Sequence, residues 1–277
     1  FTEPVGVRLE GVDVAAVGTA PSLVLGVSEW AKRYPQTFRL PTEARDARLT
    51  WRKAEGAEAW LTLSGGNVSR SGALTQVTTE KSVVGDCATE GDAPCPDLGK
   101  IGAAWSADEA RVVIGLGVQD PSQSPVRIEV AHALDAPTAD ITLAPVEIGS
   151  LRGPFGVDLP LEKVKVSATV HLGMPKGLSS GEVTGTLDAT LDGYIPPHPR
   201  ELDGIVFGSS TTLKSKLKVD DARERVDLSD VTVTAGAFKL AGTGSLKREE
   251  DHGRIELDLK GNLPCSALAG AAVDSYL

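Results

Sequence analysis

The chain has 277 residues, enough for one large β domain or two smaller ones. Its net charge of −10 argues against a nucleic-acid partner and against charge-driven adhesion to an anionic membrane, because both need clustered Lys and Arg side chains. Only 4% of the residues are aromatic and 30 are glycine, a mixture that suits wide sheets better than a core of large rings. No run of about eighteen apolar residues occurs, so the sequence predicts no membrane-spanning helix.

The first part of the chain is the least regular. Apolar residues recur at helical spacing from Ser22 to Tyr34, between two prolines, which predicts one amphipathic helix packed on a sheet. Alternating segments after it predict two hairpins, one joining residues 48–52 to 59–63 and one joining residues 101–105 to 111–116. We therefore expect residues 1–124 to form an N-terminal β-rich region with one short helix.

A cysteine-containing loop separates these two hairpins. Cys87 and Cys95 flank a polar segment with Gly and Pro that can close on itself, and we interpret them as a disulfide across a surface loop. Such a bond implies an oxidising compartment; free thiols are the alternative. A metal site needs further soft ligands, but Cys265 is distant and the four histidines are scattered, so we predict no bound metal.

A two-residue period dominates from residue 125 onward. In the segment Val164–Leu172 the apolar side chains fall on one face and the polar ones on the other, the pattern of a strand with one dry face. The same period returns in several later segments, each linked to the next, and Pro196–Arg200 interrupts them as a stiff extended connector. We predict an extended antiparallel meander over residues 125–277, with a helix that begins at Pro264.

The dry face of this meander must be covered by something. A second sheet would make a closed, sandwich-like structural module, whereas acyl chains would make the sheet a groove for apolar ligands. Glycines occupy some of the positions at which the alternation places apolar side chains. They would leave room along the dry face, although they would also permit strong coiling of the sheet. The candidate groove residues are Val164, Val166, Val170, Leu187, Leu191, Leu240, Leu246, Leu257 and Leu259.

Enzyme signatures are missing from the sequence. It contains no Gly-x-Ser-x-Gly elbow, phosphate-binding loop, dinucleotide fingerprint or His-Glu-x-x-His. A Ser-His-Asp arrangement is assembled by the fold, so sequence alone leaves it open. The histidines fall on wet strand faces, in a connector and in a turn, where surface roles are commoner than catalysis. We predict a non-enzymatic protein with no catalytic residues and no cofactor.

The segment from Gly181 to Leu263 carries a cadence of a small residue and Gly-x-Gly-x-Leu, then a turn, an alternating strand and a glycine. Its elements are Gly181–Leu187, Val231–Val233 leading into Phe238–Leu246, and Ile255–Gly261. This cadence resembles the C-terminal repeats of the AsmA and TamB superfamily of bacterial envelope proteins. The resemblance implies a long, curved sheet with an apolar groove, a periplasmic location and a role in moving phospholipid.

The resemblance also implies envelope protein partners and a membrane anchor, which would have to lie in a segment outside this chain. The chain is short for that superfamily, which predicts either a fragment or a small relative with a scaffolding role. Two functions therefore stand as expectations. One is lipid handling or envelope assembly through an apolar β groove, and the other is a structural β-sandwich subunit of an envelope or secretion complex.

Overall fold

The computed structural model describes residues 7–18, 33, 42–52, 54–85, 97–106, 111–131, 137–148, 163–174, 181–194, 209–221, 224–236, 238–248 and 253–262. Within these ranges the protein is mainly β, as the alternating sequence pattern predicts. The strands are β1 (Val7–Glu10), β2 (Asp13–Val17), β3 (Thr42–Arg52), β4 (Ala59–Ser71), β5 (Leu74–Thr79), β6 (Lys81–Val84), β7 (Ile101–Ser106), β8 (Arg111–Leu116), β9 (Val126–Ala131), β10 (Thr138–Glu147), β11 (Lys165–Gly173), β12 (Val183–Asp192), β13 (Ser210–Val219), β14 (Arg225–Ala235), β15 (Phe238–Arg248) and β16 (Gly253–Asn262).

The chain divides into two compact units. The first comprises Phe1–Ala133 with Leu151–Asp158, and the second comprises Leu134–Ser150 with Leu159–Leu277. Strands β1 to β9 belong to the first unit and β10 to β16 to the second. The sequence predicted a division between residues 124 and 125, just before strand β9.

The first unit is a mixed sheet. Its strands lie in the order β1, β3, β4, β5, β7, β8, β9, with β2 also paired to β3 and β6 also paired to β4. Strands β1 and β2 run parallel to β3, a pairing that the sequence analysis, which predicted mostly antiparallel strands, did not foresee. The long connection between Val17 and Thr42 explains the difference, because only a crossover lets the chain return in the same direction. Both hairpins predicted in this unit are present.

The second unit is an antiparallel meander. Each strand from β10 to β16 pairs with the strand that follows it in sequence. This arrangement agrees with the meander that the sequence predicts. The buried apolar side chains among the described residues of both units are Ala44, Ala139, Ile148, Val164, Val183, Val231 and Ala235.

A β-bulge corrects the phase of strand β14. The pairing with β15 shifts between Leu228 and Val231, so that apolar residues at even positions before the bulge share a face with those at odd positions after it. Asp230 adopts a left-handed φ of 51° there. The side chain of Ser215 on β13 fills the gap, since its Oγ donates to the carbonyls of Lys216 (2.9 Å) and Ser229 (3.2 Å).

Both predicted helices lie outside the described residues, apart from Arg33. The described residues include a short 3-10 helix, Pro121–Gln123, which the sequence analysis did not predict. The helix predictions for residues 22–34 and for the segment after Pro264 therefore stay predictions.

The three cysteines also lie outside the described residues. The chain on either side of the Cys87–Cys95 segment is described, and its two ends meet. Val83 and Asp97 form an antiparallel bridge, and the Leu98 amide donates to the Ser82 carbonyl over 2.8 Å. The base of this loop is therefore closed, although the disulfide itself stays a prediction.

Candidate functional site

Cross-strand pairing assembles one continuous apolar face on the second unit. Residues directly opposite each other in an antiparallel pair share a face of the sheet. Val170 lies opposite Leu187, and Val166 lies opposite Leu191. One complete row crosses six strands from β11 to β16, and its members are Ala168, Ala189, Leu213, Val233, Leu240 and Gly261.

The remaining candidate residues within strands belong to the same face. Leu246 lies opposite Val226, while Leu257 and Leu259 lie opposite glycines of β15. Val164 stands two residues before Val166 and so has the same phase. The register thus brings eight of the nine sequence-predicted groove residues onto one surface of one unit, which we call the apolar face, whereas Val164 precedes β11 and is buried.

Several apolar residues of this face were not among the candidates. The pairing adds residues from β10, β13 and β14, namely Ile141, Leu143, Leu213, Leu217, Leu228, Val231 and Val233. The sequence pattern did not identify the apolar residues on β13 because Ser215 interrupts their alternation. The pattern did not identify the apolar residues on β14 because the bulge moves the residues that face the apolar side from even to odd positions. A one-residue shift in an otherwise strict alternation of apolar and polar residues is the sequence signal that would have identified the residues on β14.

The apolar face is only half-buried over most of its area. Leu187, Leu191 and Leu213 lie on central strands, yet each retains intermediate exposure. In a closed sandwich, side chains at such positions would be almost completely covered. Toward the last strand the face opens further, with Leu246 41% exposed and Leu257 55% exposed.

The opposite face of the second unit is polar and charged. Lys214 binds Asp188 across a strand pair at 2.7 Å, and Lys216 binds Asp230 at 2.7 Å. The hydrogen bond and charge of Asp230 raise the pKa of Lys216. These exposed pairs each contribute little to stability, but they keep this face hydrated. Water therefore covers one face of the sheet, whereas the other face presents aliphatic carbon.

The glycines on the apolar face allow the strands to approach closely. A Cβ on Gly185 would collide with the carbonyl oxygen of His171 and lie 2.9 Å from Leu172 Cδ2. A Cβ on Gly244 would lie 2.5 Å from Leu257 Cδ2. These positions therefore hold no spare room for a ligand, because each glycine lies against atoms of the neighbouring strand.

Residues for metal or transmembrane roles are not found in the described part of the chain. No group of three or more His, Cys, Asp or Glu side chains there is placed to hold a metal ion. None of the helical structure in the described ranges is long and apolar enough to span a bilayer.

Comparisons with known proteins do not extend these observations. No family model matches the chain, and no curated protein or solved structure matches it at a significant level. The resemblance to the AsmA and TamB superfamily therefore stays a prediction, and the candidate function must be argued from the apolar face itself.

Proposed function

We propose that this protein is a non-enzymatic bacterial envelope protein that binds acyl chains on the apolar face of its second unit and so handles lipid or assists envelope assembly. The observation that carries the proposal is the half-burial of aliphatic side chains on central strands. A surface of this kind is unfavourable in water and is typical of sites that contact an apolar partner.

The chemistry of the face suits hydrocarbon. Its side chains are mostly Val, Leu and Ala, and the polar groups on it, such as Ser215, are engaged with the backbone. Seven strands spaced by about 4.8 Å make the face about 29 Å wide, about twice the reach of one acyl chain in a bilayer leaflet. Burying a methylene is worth about 0.8 kcal/mol, so half-covering a sixteen-carbon chain would yield about 6 kcal/mol before the entropic cost of binding.

The proposed setting is the periplasm, in contact with envelope protein partners. This part of the proposal rests on the sequence cadence of residues 181–263 and on the predicted Cys87–Cys95 disulfide. Phospholipid is the proposed ligand, and any membrane anchor would come from a segment outside this chain.

A scaffolding role is the second candidate function. It is favoured by the exposure of Leu246 and Leu257 at the end of the meander, where β16 pairs with β15 alone among the described strands. An edge strand with exposed leucines can accept a strand from another envelope protein. In that case the apolar face would be covered by protein and not by lipid.

The experiment that tests lipid binding compares two glutamate substitutions on adjacent residues. Leu187→Glu places a charge on the apolar face, whereas Thr186→Glu places it on the exposed polar face, where Lys216 of β13 lies opposite. Protein purified from bacterial membranes is analysed by native mass spectrometry for bound phospholipid and titrated with a fluorescent sixteen-carbon fatty acid. Thermal unfolding of each variant is measured in parallel.

We expect Leu187→Glu to lose lipid and fatty-acid binding while it remains folded, and Thr186→Glu to behave like the parent protein. If the face is instead sealed, Leu187→Glu buries an unpaired charge, which costs several kcal/mol and unfolds the unit. Unfolding of this variant, together with no lipid on the parent protein, would contradict the proposal and leave the scaffolding role.

A further inference from the structure

The first unit carries a cavity of about 580 Å³ on its sheet. Its floor is made of side chains from two neighbouring strands, β4 and β5. Asn67 lies opposite Thr78, and Ser69 lies opposite Gln76, so these four polar side chains point from the same face. All of its described lining residues belong to the first unit.

One wall of the cavity is the segment that connects β8 to β9. Its residues Gln119–Pro121 lie directly on the sheet above two glycines. A Cβ on Gly102 would collide with the Gln119 carbonyl oxygen, and a Cβ on Gly115 would lie 2.6 Å from Pro121 Cα. The connector can lie this close to the sheet because Gly102 and Gly115 beneath it have no side chain.

Hydrogen bonds hold this wall in place. The Asp120 carboxylate accepts from the Ser122 backbone amide (2.9 Å) and the Ser122 hydroxyl (2.8 Å). The Ser124 hydroxyl lies within 2.7 Å of the Leu116 carbonyl and 2.6 Å of the Val126 carbonyl. Gln119 Nε2 donates to Glu80 over 3.0 Å. The cavity is thus bounded by a connector with its own fixed geometry.

The floor retains unused hydrogen-bonding capacity. The side chains of Ser69, Gln76 and Thr78 make no hydrogen bond to any other described residue, and Asn67 makes a single long one, 3.5 Å to the Gly65 carbonyl. Hydroxyl and amide side chains both donate and accept. The hydroxyl groups of a sugar do the same, so such a floor is complementary to a polyhydroxylated surface.

The charges around the cavity disfavour an anionic ligand. Glu43 accepts from Arg8 (2.9 Å), which with Arg45 holds the pKa of Glu43 below its ordinary value. The bonds from Ser122 likewise lower the pKa of Asp120. Both carboxylates are therefore ionised at neutral pH, whereas Arg45 is the one cationic side chain among the described lining residues. Each carboxylate can accept from a neutral hydroxyl.

We propose that this cavity binds a short, neutral, polyhydroxylated ligand, namely a glycan segment. The described lining residues include no aromatic ring on which a sugar could stack, so the dissociation constant should fall in the millimolar range. This site is independent of the acyl-chain site on the second unit.

The test titrates the full chain with maltotetraose, cellotetraose and mannotetraose, followed by saturation-transfer NMR. A charged tetramer of galacturonic acid serves as the comparison ligand. The floor variant is Ser69→Ala/Gln76→Ala, because both side chains are exposed and make no hydrogen bond to another described residue. The control variant is Thr184→Ala/Thr186→Ala, which removes exposed hydroxyls from the polar face of the second unit.

We expect at least one neutral tetrasaccharide to bind, and the floor variant to bind it about tenfold more weakly, since it loses the hydrogen bonds of two side chains. The control variant should bind like the parent protein. Binding of none of the three neutral probes, equal binding by the floor variant, or tighter binding of the galacturonic acid tetramer would each overturn the proposal. Because lipid binding is measured separately, these outcomes do not bear on the acyl-chain site.

Discussion

Strand approach on the apolar face can be tested by adding a single methyl group. Gly185 and Gly173 lie on the neighbouring strands β12 and β11, at adjacent positions of one ladder. The methyl of Gly185→Ala would collide with the His171 carbonyl oxygen, whereas the nearest atom to a methyl at Gly173 is the Thr184 carbonyl oxygen at 3.8 Å. Gly173→Ala is therefore a control with the same chemistry and no clash.

The two substitutions should shift stability in opposite directions. Overpacking costs about 1–3 kcal/mol, while replacing Gly by Ala stabilises by about 0.4–1 kcal/mol through the unfolded state. We expect Gly185→Ala to lower the free energy of unfolding by about 0.5–2 kcal/mol and Gly173→Ala to raise it by up to about 1 kcal/mol.

Urea denaturation measures both values, and thermal unfolding should differ by about 2–4 °C per kcal/mol. If Gly185→Ala proves as stable as Gly173→Ala, the strands do not approach closely there. The glycine would then leave open space on the apolar face.

Three further predictions concern single residues. Thiol titration of denatured, unreduced protein should find one reactive thiol per chain, that of Cys265, because Cys87 and Cys95 are bonded; three thiols would rule the bond out. At the bulge, where the φ of Asp230 is 51°, Asp230→Ala should be about 1 kcal/mol less stable than Asp230→Gly by urea denaturation, and equal stability would contradict the left-handed backbone. Because Arg8 and Arg45 lower the pKa of Glu43, its ionised form stabilises the fold above its ordinary pKa of 4.5, and this contribution is lost as pH falls through the lower folded pKa. The difference in unfolding midpoint between the parent protein and Glu43→Gln should therefore shrink between pH 7 and pH 3, and a constant difference would contradict the ion pairs.

Sequence patterning predicted most of the second unit because its strands alternate strictly. In the segment from Val164 to Leu172 every second residue is apolar, and this period requires a strand whatever else surrounds it. Short connections between β13 and β14, β14 and β15, and β15 and β16 then favour antiparallel neighbours, and the earlier strands of the unit pair in the same sequential way. Local signals were sufficient here because each strand pairs with its sequence neighbour.

The parallel pairs of the first unit were not predictable in the same way. Strands β1 and β2 reach β3 across a long connection, and no local signal states which partner a distant strand chooses. The cavity there also escaped sequence analysis. Its floor is made of ordinary polar residues of two strands, and its wall depends on Gly102 and Gly115 lying beneath a connector that is distant from Asn67 and Ser69 in sequence.

The sequence by itself therefore determined which residues form strands and which of their side chains are apolar, because alternation is a property of one segment at a time. Only the tertiary structure decided that bulges at residues such as Asp230 keep the apolar side chains on one face. It also decided that this face stays half-buried and that glycines such as Gly185 serve close backbone approach. These properties depend on the register between strands and on what covers them, and both are set by contacts between segments.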